Sequence, residues 1–278
     1  MEIIEGNEGL WRAAGGDTMA GRYVLERLRG GDVPSRPTLF LCEEDGEADA
    51  DVTRRLLSEI EAAPPVNLVY LSSWQVYSPD AGEGVDETRP TFARSDAGRA
   101  CLRCERMLTE WAEARGVTLT GVRPAPMFGK GMSGPMLRLF NRVVRGHYVH
   151  IRGNDAKLSA VTAYDVAKAM VALAGHPGIF NVSDGRAHTW LALAEAMTAN
   201  AGSQKRMTTM PEKWARTVYR AFRWLPIVQE TLSADALEPV SRTLTLDNAK
   251  VVRETGIEFH DTLAVIARTD KDYPYEDA

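Results

Sequence analysis

The residues best suited to chemistry lie between positions 66 and 124. The apolar run Val66-Asn67-Leu68-Val69-Tyr70-Leu71 ends in Ser72-Ser73-Trp74-Gln75-Val76-Tyr77, and a second run ends in Val122-Arg123-Pro124. A hydroxyl at Ser73, a phenol at Tyr77 and a guanidinium at Arg123 are ligand-binding candidates, because open parallel sheets hold ligands beyond the carboxyl ends of their strands. Bases and nucleophiles are scarcer. Asp96 fits if desolvated, although Ser95 and Asp96 are also helix-capping types that accept amide protons at a helix start. Cys101 becomes a nucleophile only if Arg99 or Arg103 stabilises its thiolate. Cys101 and Cys104 form a CxxC, yet with Leu108 and Trp111 they recur at i, i+3, i+7 and i+10, one apolar helix face. No second CxxC or nearby histidine completes a zinc set, so both read as core cysteines. His147, His150, His176, His188 and His260 lack metal-ligand spacing, and no metal site is expected. There is no Ser-His-Asp pattern, nucleophile elbow or phosphate-binding P-loop.

The elements that must carry these residues alternate between apolar strand-like runs and helix-period segments, the rhythm of a parallel sheet covered by helices. Strands are expected at 38–42, 66–71, 117–123 and around 180–182, and helices at 50–63, 97–115, 135–145, 164–174 and 211–223. The implied architecture is α/β. No internal repeat or low-complexity tract interrupts it.

Five segments occur in an order and spacing that resembles the extended short-chain dehydrogenase/reductase family, the NAD-dependent epimerases and dehydratases. They are Ser72 through Tyr77 with Asp86-Glu87-Thr88-Arg89-Pro90; Val122-Arg123-Pro124 with Phe128-Gly129; Val161 through Asp165-Val166-Ala167; Phe180-Asn181-Val182; and Leu246-Asp247 with Lys250. The resemblance implies a Rossmann-like parallel sheet with helices on both faces and a small C-terminal lobe. Residues 1–175 would form the Rossmann-like domain, and 176–278 mostly the lobe and closing elements. It also implies a catalytic Tyr-x-x-x-Lys pair, and this chain carries Ala97 and Cys101 there. Alanine cannot move a proton, and a thiol is no substitute for the lysine cation. Ser73 is the retained position of the catalytic set.

The cofactor end departs too. A dinucleotide loop needs a strand and a G-x-x-G-x-x-G turn whose amides approach the pyrophosphate. Gly6-Asn7-Glu8-Gly9-Leu10-Trp11-Arg12 follows the strand-like Glu2-Ile3-Ile4-Glu5 and offers Gly6, Gly9 and a phosphate-gripping or merely solvated Arg12. Gly15 through Gly21 leads into the helix Arg22–Leu28, but Thr18 takes the middle place and no strand-like run precedes it. The run Thr38–Cys42 resembles the family's fourth strand, implying a shortened N-terminal half; were it the second strand, Glu43 or Glu44 would be the ribose acid. No cofactor is expected in the standard mode, with NAD(P) as the alternative.

The expected ligand is a small molecule such as a nucleotide sugar. Alternatives are a noncatalytic partner of another enzyme and an oxidoreductase with relocated acid/base. Relatives dimerise through the helix that here carries 97–115, which implies a homodimer or hetero-complex. The 278 residues, 44% hydrophobic and net −5, suit a globular chain with one sizeable core and exclude nucleic-acid binding driven by counterion release. No run of about 20 apolar residues or signal-like N-terminus is present, so no membrane contact and a cytoplasmic location are expected. The segment Lys213–Trp224 alternates aromatic and basic residues, and the expectation is that it packs on the lobe with its arginines solvated; a helix lying on a membrane surface or binding a partner is the alternative.

Overall fold

The computed structural model describes residues 2–43, 48–132, 134–201, 207–226, 228, 232, 237 and 239–268. Six strands, β1 (Ile3–Gly6), β2 (Trp11–Ala14), β3 (Thr38–Leu41), β4 (Asn67–Leu71), β5 (Thr118–Pro124) and β6 (Gly178–Val182), line up in chain order in one sheet. All neighbours are parallel except β1, which forms an antiparallel hairpin with β2. The central strands β3 and β4 are buried throughout, as their unbroken apolar runs require.

Helices α1 (Met19–Arg29), α2 (Ala50–Glu59), α3 (Asp96–Arg115), α4 (Gly134–Val144), α5 (Ala163–Ala172), α6 (Trp190–Asn200) and α7 (Glu212–Phe222) follow in order. On one face α1 and α5 pack against Ala13, Phe40, Val69 and Val122; on the other, α2 and α3 cover Ala14, Leu39, Leu41, Leu68 and Tyr70. A third cluster, around Phe128, Leu158, Trp190, Leu193 and Met197, is the core of a small C-terminal lobe. Each fully buried Leu or Phe stabilises the fold by roughly 1.5–3 kcal/mol. The fold is therefore the Rossmann-like α/β architecture expected, with helices on both faces.

The N-terminal half is shortened as expected. On the outer side of β2, where a full dinucleotide half places two further parallel strands, there is the antiparallel β1. The glycine loops, however, are the reverse of their sequence ranking. Trp11–Ala14 is a strand, so Gly15–Gly21 follows a strand and opens α1. Its Ala and Arg residues carry little strand propensity; pairing with both β1 and β3 imposes the conformation. Gly6 and Gly9 instead flank the hairpin turn. A Cβ on Gly6 would lie 2.2 Å from the Trp11 ring, so this glycine serves the packing of Trp11. Arg12 donates to the carbonyl of Ala63 at 3.0 Å, in the connection that enters β4. Gly6, Gly9 and Arg12 thus lie away from the carboxyl ends of the strands.

Candidate functional site

Adjacent strands β2 and β3 send their following helices to opposite faces, the arrangement that opens a crevice at a sheet's carboxyl end. The loop after β2 retains parts of a phosphate turn. Gly15 has φ +77°, and a Cβ on Gly21 would lie 2.0 Å from the Gly15 carbonyl oxygen, so the loop and α1 approach as closely as glycines permit. Thr18 stands between them. Its hydroxyl donates toward the carbonyls of Gly15 (2.8 Å) and Cys42 (2.9 Å) and accepts from the Gly21 amide, capping α1. The bond to Cys42 ties the loop after β2 to the end of β3.

Glu43 follows at once. It is buried, its Oε1 has no hydrogen-bond partner, and burial pushes its carboxyl up to about 7, with Asp49 adding to the effect and Thr53 opposing it. Glu44 lies outside the described residues. Thr53 also donates to the Cys104 sulfur at 3.3 Å, and burial raises that thiol.

Ser73, Tyr77 and Arg123 occupy the end of the sheet where the sequence places them, but they do not face open space. Ser73 is fully buried and caps the short 3-10 turn Trp74–Val76 by accepting from the Gln75 amide at 3.0 Å. Tyr77 donates to Asn181 Oδ1 (2.8 Å) and accepts from Arg123 (3.0 Å). Arg123 grips Glu105 bidentately at 2.9 and 2.7 Å, and Ser72 donates to the same carboxylate. Burial works against the Arg123 charge, but the bonds to Glu105 and its carboxylate hold the guanidinium above its ordinary pKa. Burial raises Tyr77 despite Arg123, so this phenol is no base at neutral pH. The network is closed: every strong donor in it already has an acceptor. Tyr77 and Arg123 are brought together, and Ser73 stands apart from them.

On α3, Ser95 is the N-cap, accepting from the Gly98 amide, while the Asp96 side chain is fully exposed and pairs with Arg99. Asp96 is therefore not a desolvated base. Cys101 is buried in the apolar cluster with Val76 and Val122, which removes it as an accessible nucleophile. All three cysteines are buried outside any disulfide, and among the described residues no group of three or more His, Cys, Asp or Glu could hold a metal ion.

Sequence reasoning missed a cavity of about 430 Å³ beside the start of α3. Trp74, Gln75, Arg94, Trp190 and Arg242 line it, together with Arg138 from α4. Asp80 pairs with both Arg94 (2.9 Å) and Arg242, leaving a positive excess that Arg138 increases. Gln75 accepts from Ser95 through Oε1, while its buried Nε2 has no partner. Trp74 and Gln75 are the variable places in the Ser-Ser-x-x-Val-Tyr run, the one signal that could have found them. A second cavity, of about 590 Å³, lies in the lobe between Arg152, Asn154, Tyr219 and Val240. Val240 and Ser241 line one cavity and the adjacent Arg242 the other.

A parallel α/β sheet with a loop-to-helix glycine turn defines a Rossmann-like protein. Residues 42–183 match the NAD dependent epimerase/dehydratase family, about half of the chain, and the protein belongs to that family. The uncharacterized protein y4nG of Sinorhizobium fredii (strain NBRC 101917 / NGR234) is 28% identical over 163 residues, 57% of this chain and 41% of that protein. The match thus spans about two fifths of that relative's length. Among solved structures, the UDP-N-acetylglucosamine 4-epimerase from Bacillus cereus superposes with a TM-score of 0.66 at 15% identity, over 92% of this chain and 95% of that one. The UDP-glucose 4-epimerase from Thermotoga maritima, solved with UDP-glucose, gives 0.64 at 16% identity over 92% and 96%. Likeness at such identities speaks for the fold alone.

Proposed function

We propose that this protein binds a nucleotide sugar, or a similarly built anionic small molecule, in the cavity beside α3, without the family's Tyr/Lys hydride relay. The observation that carries this reading is the cavity's wall. Two tryptophans offer apolar surface to a base or sugar ring, three arginines, two of them sharing one aspartate, offer excess charge to a diphosphate, and Gln75 offers an unused buried donor. Ser73 acts by fixing the turn that presents Trp74 and Gln75. The family resemblance and the UDP-glucose complex of the Thermotoga maritima epimerase support the ligand class.

A dinucleotide does not fit the standard seat in this reading. Thr18 puts a Cβ where the second glycine would let the backbone approach pyrophosphate, and its bond to Cys42 bridges the crevice. The parallel strand that would bring a ribose-binding acid is replaced by β1. With Ala97 and Cys101 in place of the acid/base pair, no hydride step follows from these side chains.

Calorimetric titration with UDP-glucose, NAD(H) and NADP(H) tests both clauses. UDP-glucose is expected to bind, and Arg242→Ala to weaken it about tenfold through loss of a charge-assisted bond. Absence of UDP-glucose binding sinks the ligand clause. A dinucleotide dissociation constant of about 10 μM or tighter, roughly −7 kcal/mol, demands a formed site and sinks the cofactor clause.

A further inference from the structure

Helix α7 is mounted with its apolar side outward. Of its residues only Ala215 is buried, whereas Trp214 is 67% exposed, Phe222 47% and, just beyond the helix end, Trp224 73%. Trp214, Val218 and Phe222 recur at i, i+4 and i+8, one stripe of the helix. Glu212, Arg216, Tyr219 and Arg220 border the open cavity of about 590 Å³, and the Arg216 and Glu212 side chains are themselves 69% and 60% exposed. The arginines are in water as expected, but Trp214 and Phe222 are exposed as well instead of packing on the lobe. A helix that packs for stability buries its apolar stripe, so the outward one points to an apolar surface beyond the protein.

Charge selects that surface. Residues 212–224 carry Lys213, Arg216, Arg220 and Arg223 against the single acid Glu212, which Arg216 holds at 2.5 Å, in a chain whose net charge is −5. Lys213 sits beside Trp214 and Arg223 beside Trp224, so each end of the helix pairs an indole with a cation. Indole rings favour the headgroup level of a bilayer, and neighbouring cations are drawn to anionic lipid. At 11 residues the helix is about 16 Å long, too short to cross a hydrocarbon core of about 30 Å. We propose that α7 lies on a membrane surface, its exposed Trp214 and Phe222 and the following Trp224 seated among the headgroups of anionic phospholipid.

The test is cosedimentation of the full chain with vesicles of phosphatidylcholine alone or mixed equally with phosphatidylglycerol. Partitioning into the anionic vesicles is expected to exceed that into the neutral ones about tenfold or more, and to fall as salt rises. The double variant Trp214→Ala/Trp224→Ala is expected to lose the association with an unchanged thermal melt. Should that variant not fold, Lys213→Glu/Arg223→Glu, which keeps the aromatics, is expected to abolish the preference for anionic vesicles. Equal partitioning into both vesicles overturns the proposal, as does full binding by the tryptophan variant. Binding displaced by soluble glycerol phosphate would assign the anion to the arginine-lined cavity instead. Self-association removed by Trp214→Ala, without vesicle binding, would give the face to a second copy of the chain. UDP-glucose titration of the same variants reads the proposed ligand cavity separately.

Discussion

Glu43 offers a perturbation whose size follows from the structure. Its carboxyl is buried at the end of β3, one oxygen unpartnered, and its pKa rises from 4.5 to about 7 on folding. Below the unfolded value the group is neutral in both states and leaves stability untouched. As pH climbs between the two values the unfolded chain ionises first, so the folded state loses ground; above about 7 both states ionise and the loss levels off. At 1.36 kcal/mol per pKa unit, the gap between 4.5 and about 7 sets a penalty of about 3 kcal/mol at alkaline pH. Glu43→Gln resembles the neutral acid and cannot titrate. Urea denaturation of both proteins from about pH 5 to about pH 8 should show the variant gaining about 2–3 kcal/mol on the wild type across that range. Parallel stability curves would refute the buried, uncompensated carboxyl. A gap that widens toward acid would mean that Glu43 is held as a carboxylate by a partner.

Arg123→Met should cost about 3–5 kcal/mol in denaturation experiments, because Glu105 is left buried and unpaired, and adding Glu105→Leu should recover part of it; strictly additive losses would contradict the pair. Ser73→Ala should lower stability by about 1 kcal/mol through loss of the cap on the Trp74 turn, which a melt can detect. Ala97→Tyr with Cys101→Lys should yield no cofactor reduction and a less stable protein, since the lysine would enter an apolar cluster; turnover followed at the nicotinamide absorbance would show an intact cofactor seat.

The sheet was legible wherever a strand carries a short apolar run, as 38–41, 67–71 and 118–124 do despite the buried Thr38, Asn67, Thr120 and Arg123. Trp11–Ala14 does not. An arginine and two alanines form a strand only because β1 and β3 pair on either side, and no local pattern records that. The same limit governs the site. Ser73, Tyr77 and Arg123 could be placed at the strand ends from motif order; Ser73 is committed locally, to the Gln75 amide, but the commitments of Tyr77 and Arg123 depend on Asn181 and Glu105, which only folding brings to them. Arg94, Arg138 and Arg242 come from three separate segments and meet only after folding. The orientation of α7 is likewise tertiary: its periodicity fixes that it has an apolar stripe and leaves open which way the stripe turns.

The two departures at the crevice share a physical direction. A lysine opening the α3 helix must keep its ammonium hydrated or paired, and a glycine-lined pyrophosphate seat must keep its amides open to an anion. Cys101 instead joins Val76 and Val122 in the core, and Thr18 satisfies the Cys42 and Gly15 carbonyls with its own hydroxyl. Both replacements turn groups that a ligand would have completed into groups that complete themselves. Among the unmet buried donors is Gln75 Nε2, on a residue that lines the arginine-lined cavity. Since an unsatisfied buried donor costs about 1–3 kcal/mol, a ligand oxygen bonded to it would recover that free energy. On that ground the cavity beside α3, and not the glycine loop, is the stronger place to seek this protein's ligand.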